Sequence, residues 1–194
     1  MEAKLTPISM PEPRYRHYRN PKGEARTCFV TSTCLDFAHL FARPELKSEM
    51  TKSLLSDCHY YNARLHAFVV MSHHIHLLVT PSESSTISQL IQKVKRNSAK
   101  LISPMLNADE SKQLQAQSGL NQRSFWMRSF RAVTVETEEI FFQKVNYIHQ
   151  NPVRVNLVEE PADYSWSSAR LYQAELQDGF FGLDMLRALD LFRP

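Results

Sequence analysis

The chain has 194 residues, of which 43% are hydrophobic and 22% charged, with a net charge of +3. That balance fits one folded domain with appendages and excludes wholesale disorder. No apolar run approaches the roughly 20 residues that cross a bilayer, and the N-terminal stretch holds no apolar signal core, so a cytoplasmic protein without a membrane partner is expected.

In chain order, residues 1–25 carry Pro7, Pro11, Pro13 and Pro21 and read as an extended arm. Residues 27–33 (TCFVTST) are rich in β-branched side chains and predict a first strand. After Pro44 the spacing of Leu46, Met50, Leu54, Leu55 and Cys58 predicts a helix over 45–61. Strands are expected at 65–71 and 75–80, the second stopped by Pro81. Ile87, Leu90, Ile91, Val94 and Leu101 give a helix over 84–105, with Ser85 or Thr86 as cap. Residues 107–123 are polar and glutamine-rich and read as a mobile loop. A fourth strand is expected at 129–135. Thr137 should cap a helix over 138–151, with Glu138 and Glu139 suited to its first turn and Pro152 ending it. A tail over 159–194 includes a short helix at 183–192. The order β–α–β–β–α–β–α predicts an α+β fold, a ferredoxin-like or RRM-like antiparallel sheet with helices packed on one face. The main domain would span 26–158.

Several chemistries drop out on spacing alone. Cys28, Cys34 and Cys58 are an odd count without a C-x-x-C pair and read as reduced thiols. Gly23, Gly119, Gly179 and Gly182 form neither a G-x-G-x-x-G nor a P-loop, so no nucleotide cradle is present.

What remains is concentrated in Met71-Ser72-His73-His74-Ile75-His76. On a strand His74 and His76 share one face, where two imidazoles can converge on one metal ion. From this spacing alone, two solvated histidines fit equally well. The helix over 138–151 places Tyr147 and Asn151 at i and i+4 on one face, extended by Lys144 and Ile140. Asn151 offers a hard carbonyl ligand. Tyr147 is a packing residue by itself and a candidate nucleophile beside a metal.

The H-x-H followed about 70 residues later by Tyr147-Ile148-His149-Gln150-Asn151-Pro152-Val153-Arg154, with DYSWSSA at 163–169, resembles the single-tyrosine HUH transposases, and more closely their REP-associated tyrosine transposase branch. The openings Tyr15-Arg16-His17-Tyr18-Arg19 and Phe29-Val30-Thr31 are similar to that branch too. The resemblance runs from Arg14 to Tyr172. It implies an HUH endonuclease fold, His74 and His76 as metal ligands, Asn151 as the third, and Tyr147 as the catalytic nucleophile. It also implies Mg²⁺ or Mn²⁺ as cofactor and single-stranded DNA with REP-type hairpins as partner, cut through a 5′-phosphotyrosine without ATP. A monomer, completing its site in cis, is implied before a dimer. Two departures stand out: Ser72-His73 replaces the family's Pro-Asn, and Val155-Asn156 replaces its Ala-Gly. His73 is expected on the opposite strand face from the ligands, and Asn156 to tolerate a left-handed helix exit.

For the DNA path, Arg14, Tyr15, Arg16, Tyr18 and Arg19 alternate cations with rings, as single strands require. Lys93, Arg96 and Lys100 share a helix face opposite the apolar stripe, with Lys95 beside them. Arg123, Arg128 and Arg131 surround Phe125 and Trp126, two rings that suit either a core or a stacking platform. Two other readings compete with the enzyme: a domesticated protein that holds REP hairpins without cutting, and an RRM-like RNA binder. The intact set His74, His76, Tyr147 and Asn151 counts against the first. The lack of paired aromatics on strands 27–33 and 65–71 counts against the second.

Overall fold

The computed structural model describes residues 25–118 and 125–172. The proline-rich arm with Arg14, Tyr15, Arg16, Tyr18 and Arg19, the cation Arg123 and the helix expected at 183–192 lie outside them. Eight principal elements follow one another: β1 (Cys28–Thr33), α1 (Pro44–Tyr60), β2 (Arg64–Val70), β3 (His74–Thr80), α2 (Ile87–Ile102), α3 (Ala108–Ser118), β4 (Arg131–Thr134) and α4 (Glu138–Arg154). The strands form one antiparallel sheet in the order β2-β3-β1-β4, the ferredoxin-like arrangement.

Period-two alternation gives the sheet two unlike faces. On one, Val30, Phe68, Leu77 and Val79 meet Leu46, Met50 and Leu54 of α1 and Leu90, Ile91 and Val94 of α2. On the other, Ala67, Val69 and Leu78 receive Val145 and Ile148 of α4. The expected pair of helices on one face is therefore joined by a third helix across the opposite face. Residues 159–172 continue that second layer and close the β2 edge. Val69 bridges Ser167, the Val70 N–H donates to the Trp166 carbonyl at 2.9 Å, and the Tyr164 hydroxyl donates to the Val70 carbonyl at 2.8 Å.

Three elements differ from the sequence expectation. The stretch expected as a loop holds α3, started by a reciprocal cap: the Glu110 N–H donates to Asn107 Oδ1, and the Asn107 N–H to Glu110 Oε2, each at 2.8 Å. Arg43 then holds Glu110 at 2.9 Å, tying this polar helix to the start of α1. Second, α4 continues through Pro152 to Arg154. A proline forfeits one helical hydrogen bond, and here that falls in the last turn, where Pro152 is buried. The exit is closed by a Schellman pair: the Leu157 N–H donates to the Pro152 carbonyl at 3.0 Å and the Asn156 N–H to the Val153 carbonyl at 2.9 Å. Asn156 sits at φ 56°, the left-handed position that its side chain tolerates. Third, α2 is shorter than expected. Thr86 and Gln89 make a capping box at its start, and a 3-10 turn, Ser103–Met105, follows its end.

Phe125 and Trp126 belong to the core, each 1% exposed. Trp126 packs on Phe41 at 5.6 Å between ring centres and donates its indole N–H to Ser98 Oγ at 3.0 Å. Trp126→Ala should therefore cost about 3–5 kcal/mol of folding stability, read by denaturant unfolding. A loss within about 0.5 kcal/mol would mean that the ring is not core.

His66, at the β2 bulge, is hydrogen-bonded through Nε2 to Thr80 Oγ1 at 2.8 Å and faces the ring of Phe141 at 5.2 Å. Burial, with the Arg64 charge adding to it, lowers its pKa to about 4. The unfolded imidazole takes up a proton near pH 6.5, so its contribution is whole above that value and is lost as the pH falls toward 4. Wild type is expected to lose on the order of 2 kcal/mol more than His66→Gln between pH 7 and 4, measured by urea unfolding. Parallel pH curves would remove His66 as the cause.

Candidate active site

The open half of the α4-facing sheet surface carries the chemistry. Cross-strand register aligns Arg131, Thr31, His76 and Val69 in one row, with Thr33 and His74 in the next. The intervening Ile75 and Leu77 are buried in the core, fixing the strand that holds both histidines. Their ring centres stand 4.7 Å apart. Thr31 Oγ1 is 2.9 Å from His76 Nδ1, which orients that ring from the neighbouring strand. His74 Nδ1 is buried and has no hydrogen-bond partner among the described residues.

Burial drives both imidazoles toward the neutral form. The pKa of His76 falls to about 3, with the His74 and His73 charges adding to the effect, and that of His74 to about 4, with His73 contributing. At neutral pH each ring therefore keeps a nitrogen lone pair.

Tyr147 comes to this face from α4. Its ring lies edge-on to His76 at 5.4 Å and to Phe29 at 5.6 Å, while Phe29 stacks on His76 at 5.4 Å. The helix thus brings the phenol ring beside His76. Asn151, one turn further along, is 9% exposed. Among the described residues no three of His, Cys, Asp and Glu converge on one metal position.

His73 departs from the expected opposite face. It precedes β3, so strand alternation does not govern it, and its ring lies 4.5 Å from His74 and 4.9 Å from His39. His39, Thr31 and Phe29 were given no role by sequence spacing. The first is remote in sequence, and the others become visible only through strand register.

The cations fall into three groups. Lys93, Arg96 and Lys100 lie on α2, in the layer across the sheet from Tyr147. Lys93 Nζ sits 4.0 Å above the Tyr61 ring, and Arg96 and Lys100 are exposed. Lys95 does not join that surface. It is 9% exposed, its ammonium donates to the carbonyl of Met127 and to those of Arg128 at 3.3 Å and Ser129 at 3.2 Å, and burial lowers its pKa to about 8. Its charge holds the segment leading into β4, a task that helical spacing could not reveal. Arg128 and Arg131 are exposed, and Arg131 lies in the His76 row.

A four-stranded ferredoxin-like sheet carries two histidines on one strand and a tyrosine on the helix facing it, and this fold is shared with known proteins. A profile of the family described as "Transposase IS200 like" matches residues 34–151. The chain belongs to the IS200-like transposase family. Its fold is similar to that of a REP-associated tyrosine transposase bound to a REP hairpin, with TM-score 0.65 and 16% identity over 87% of this chain and 90% of that one. A Deinococcus radiodurans protein assigned as a transposase matches at TM-score 0.45 and 18% identity, over 70% of this chain and 96% of that one. No curated protein matches. Among the described residues no helix is long and apolar enough to cross a membrane.

Proposed function

We propose that the chain cuts and rejoins single-stranded DNA at REP-type hairpins, with Tyr147 as nucleophile. The observation that carries this reading is the Tyr147 ring 5.4 Å from His76, on the helix that faces both histidines. The phenol oxygen attacks the scissile phosphorus and gives its proton to solvent. A tyrosine–phosphorus bond forms, the bond from phosphorus to the 3′ oxygen breaks, and that oxygen leaves as a hydroxyl after taking up a proton. The phosphotyrosyl link retains the phosphodiester energy, so rejoining needs no ATP.

The residues present fit a divalent ion. Two neutral imidazoles share one face, and one of them keeps a buried ring nitrogen without a partner. His74, His76 and the amide oxygen of Asn151 would hold Mg²⁺ or Mn²⁺, with DNA oxygens and water supplying the remaining hard donors. Bound there, the ion would supply Lewis-acid polarisation of the phosphate and offset its developing charge. Thr31 holds His76 in orientation, and Phe29 keeps the imidazole and the phenol on one apolar support.

The exposed Arg131 and Arg128 are candidates for phosphates near the cut. Lys93, Arg96 and Lys100 could meet DNA only where it passes around to the other layer. Outside the described residues, Arg14, Tyr15, Arg16, Tyr18, Arg19 and Arg123 remain candidate contacts. We read the protein as a cytoplasmic monomer that completes its site in cis. The testing experiment incubates the full chain with labelled single-stranded REP-hairpin DNA and Mn²⁺ and looks for a covalent protein–DNA band on a denaturing gel. Hairpin binding without such a band would support the non-cutting hairpin holder instead.

A further inference from the structure

Two cations near Tyr147 have no part in the site so far. Lys144 lies one helical turn before the tyrosine and Arg154 two turns after it, so all three share one side of α4. Lys144 Nζ rests 5.1 Å from the centre of the Phe29 ring, and the Arg154 guanidinium 5.0 Å from that of Tyr147. These two rings are themselves 5.6 Å apart. Among the described residues neither cation has a carboxylate partner; the ion pairs there are those of Arg43 with Glu45 and Glu110. Arg154 is exposed and Lys144 is partly so.

A ring face holds a cation through its quadrupole, more weakly than a full negative charge does. Two unpaired positive charges on one aromatic platform are therefore poised for anions that come to the tyrosine. We propose that Lys144 and Arg154 form a phosphate clamp that brackets Tyr147 and grips the phosphodiesters on either side of the bond to be cut. The ligand class is the backbone of single-stranded nucleic acid, its phosphates on the two cations and its bases free to stack on exposed ring surface. Arg154 suits this task better than a lysine would, because its planar fork can bind one phosphate with two donors while stacked on the phenol. The clamp rests on the reading of Tyr147 as nucleophile for its meaning, but its binding can be measured without any cleavage.

The test uses the full chain in EDTA, with a short fluorescent single-stranded oligonucleotide titrated by anisotropy across a salt series. Wild type is compared with Lys144→Gln, Arg154→Gln, the double variant and Arg154→Lys, each first checked for an unchanged melting temperature. Each loss of a phosphate contact should lower the slope of log affinity against log salt by about 0.7, and so weaken binding about fivefold near 0.1 M salt. The double variant should lose about twice that slope, and Arg154→Lys should recover most of it. A double variant whose slope equals that of wild type overturns the clamp. Because no metal or chemistry enters this measurement, that result is distinct from failure of the nucleophile, which would appear as an adduct surviving in Tyr147→Phe.

Discussion

Tyr147→Phe is expected to eliminate the covalent protein–DNA band, lowering its formation by at least roughly three orders of magnitude. The substitution removes one oxygen and leaves the ring that packs on Phe29 and His76. No hydrogen bond of the Tyr147 hydroxyl occurs among the described residues, so folding stability should change by no more than about 0.5 kcal/mol. The unchanged melting temperature is what makes the result decisive, since it separates a missing nucleophile from a damaged helix. Hairpin affinity should persist, because the cations around the tyrosine remain. An adduct that survives in the variant would assign the chemistry to another residue.

The second large effect concerns the metal, and it can be read without DNA. An ion that binds only the folded chain raises its stability, by about 2.7 kcal/mol at a hundredfold excess over its dissociation constant. Mn²⁺ should therefore raise the melting temperature of wild type, and EDTA should reverse the rise. In His74→Ala/His76→Ala the rise should vanish. His76→Ala also leaves the Thr31 hydroxyl without its ring partner, so the double variant should start from a lower baseline. The metal-dependent increment, not the baseline, is the quantity of interest. An increment that persists in the double variant would place the ion elsewhere. Acidification should weaken binding as well, since the ion must displace any proton taken up by the imidazoles.

How much of this was legible beforehand varies by element, for physical reasons. β1 declared itself through its β-branched run and α1 through the helical spacing of Leu46, Met50, Leu54, Leu55 and Cys58, while β3, buried on both faces, showed as a short apolar run stopped by Pro81. Strand alternation placed His74 with His76 and the helical turn placed Tyr147 with Asn151, but that the tyrosine comes to His76 was implied by the family resemblance and not by either short-range rule. Helix α3 was missed because it has almost no apolar stripe; its only local signature is the Asn107-x-x-Glu110 cap, with Asp109 in the first turn. Pro152 misled because the rule for residues before proline weighs local sterics and not a buried last turn closed by Asn156. The buried Lys95 looked like a surface cation because its three carbonyl partners come from residues more than thirty positions away. Thr31 gained meaning, and Arg131 its place in the His76 row, only from register, which pairs positions that the chain holds far apart.

The two halves of the candidate site hang from different parts of the architecture. The histidines belong to β3, which is paired on both sides by β1 and β2 and backed by the main core. The tyrosine belongs to a helix laid on the far side over a smaller apolar cluster. Native-state hydrogen exchange should thus find two tiers of protection, with the β3 amides opening only on global unfolding and those of α4 opening earlier. For the proposed reaction this means that Tyr147, on the less protected tier, would be free to move away from the histidines while their strand keeps its shape.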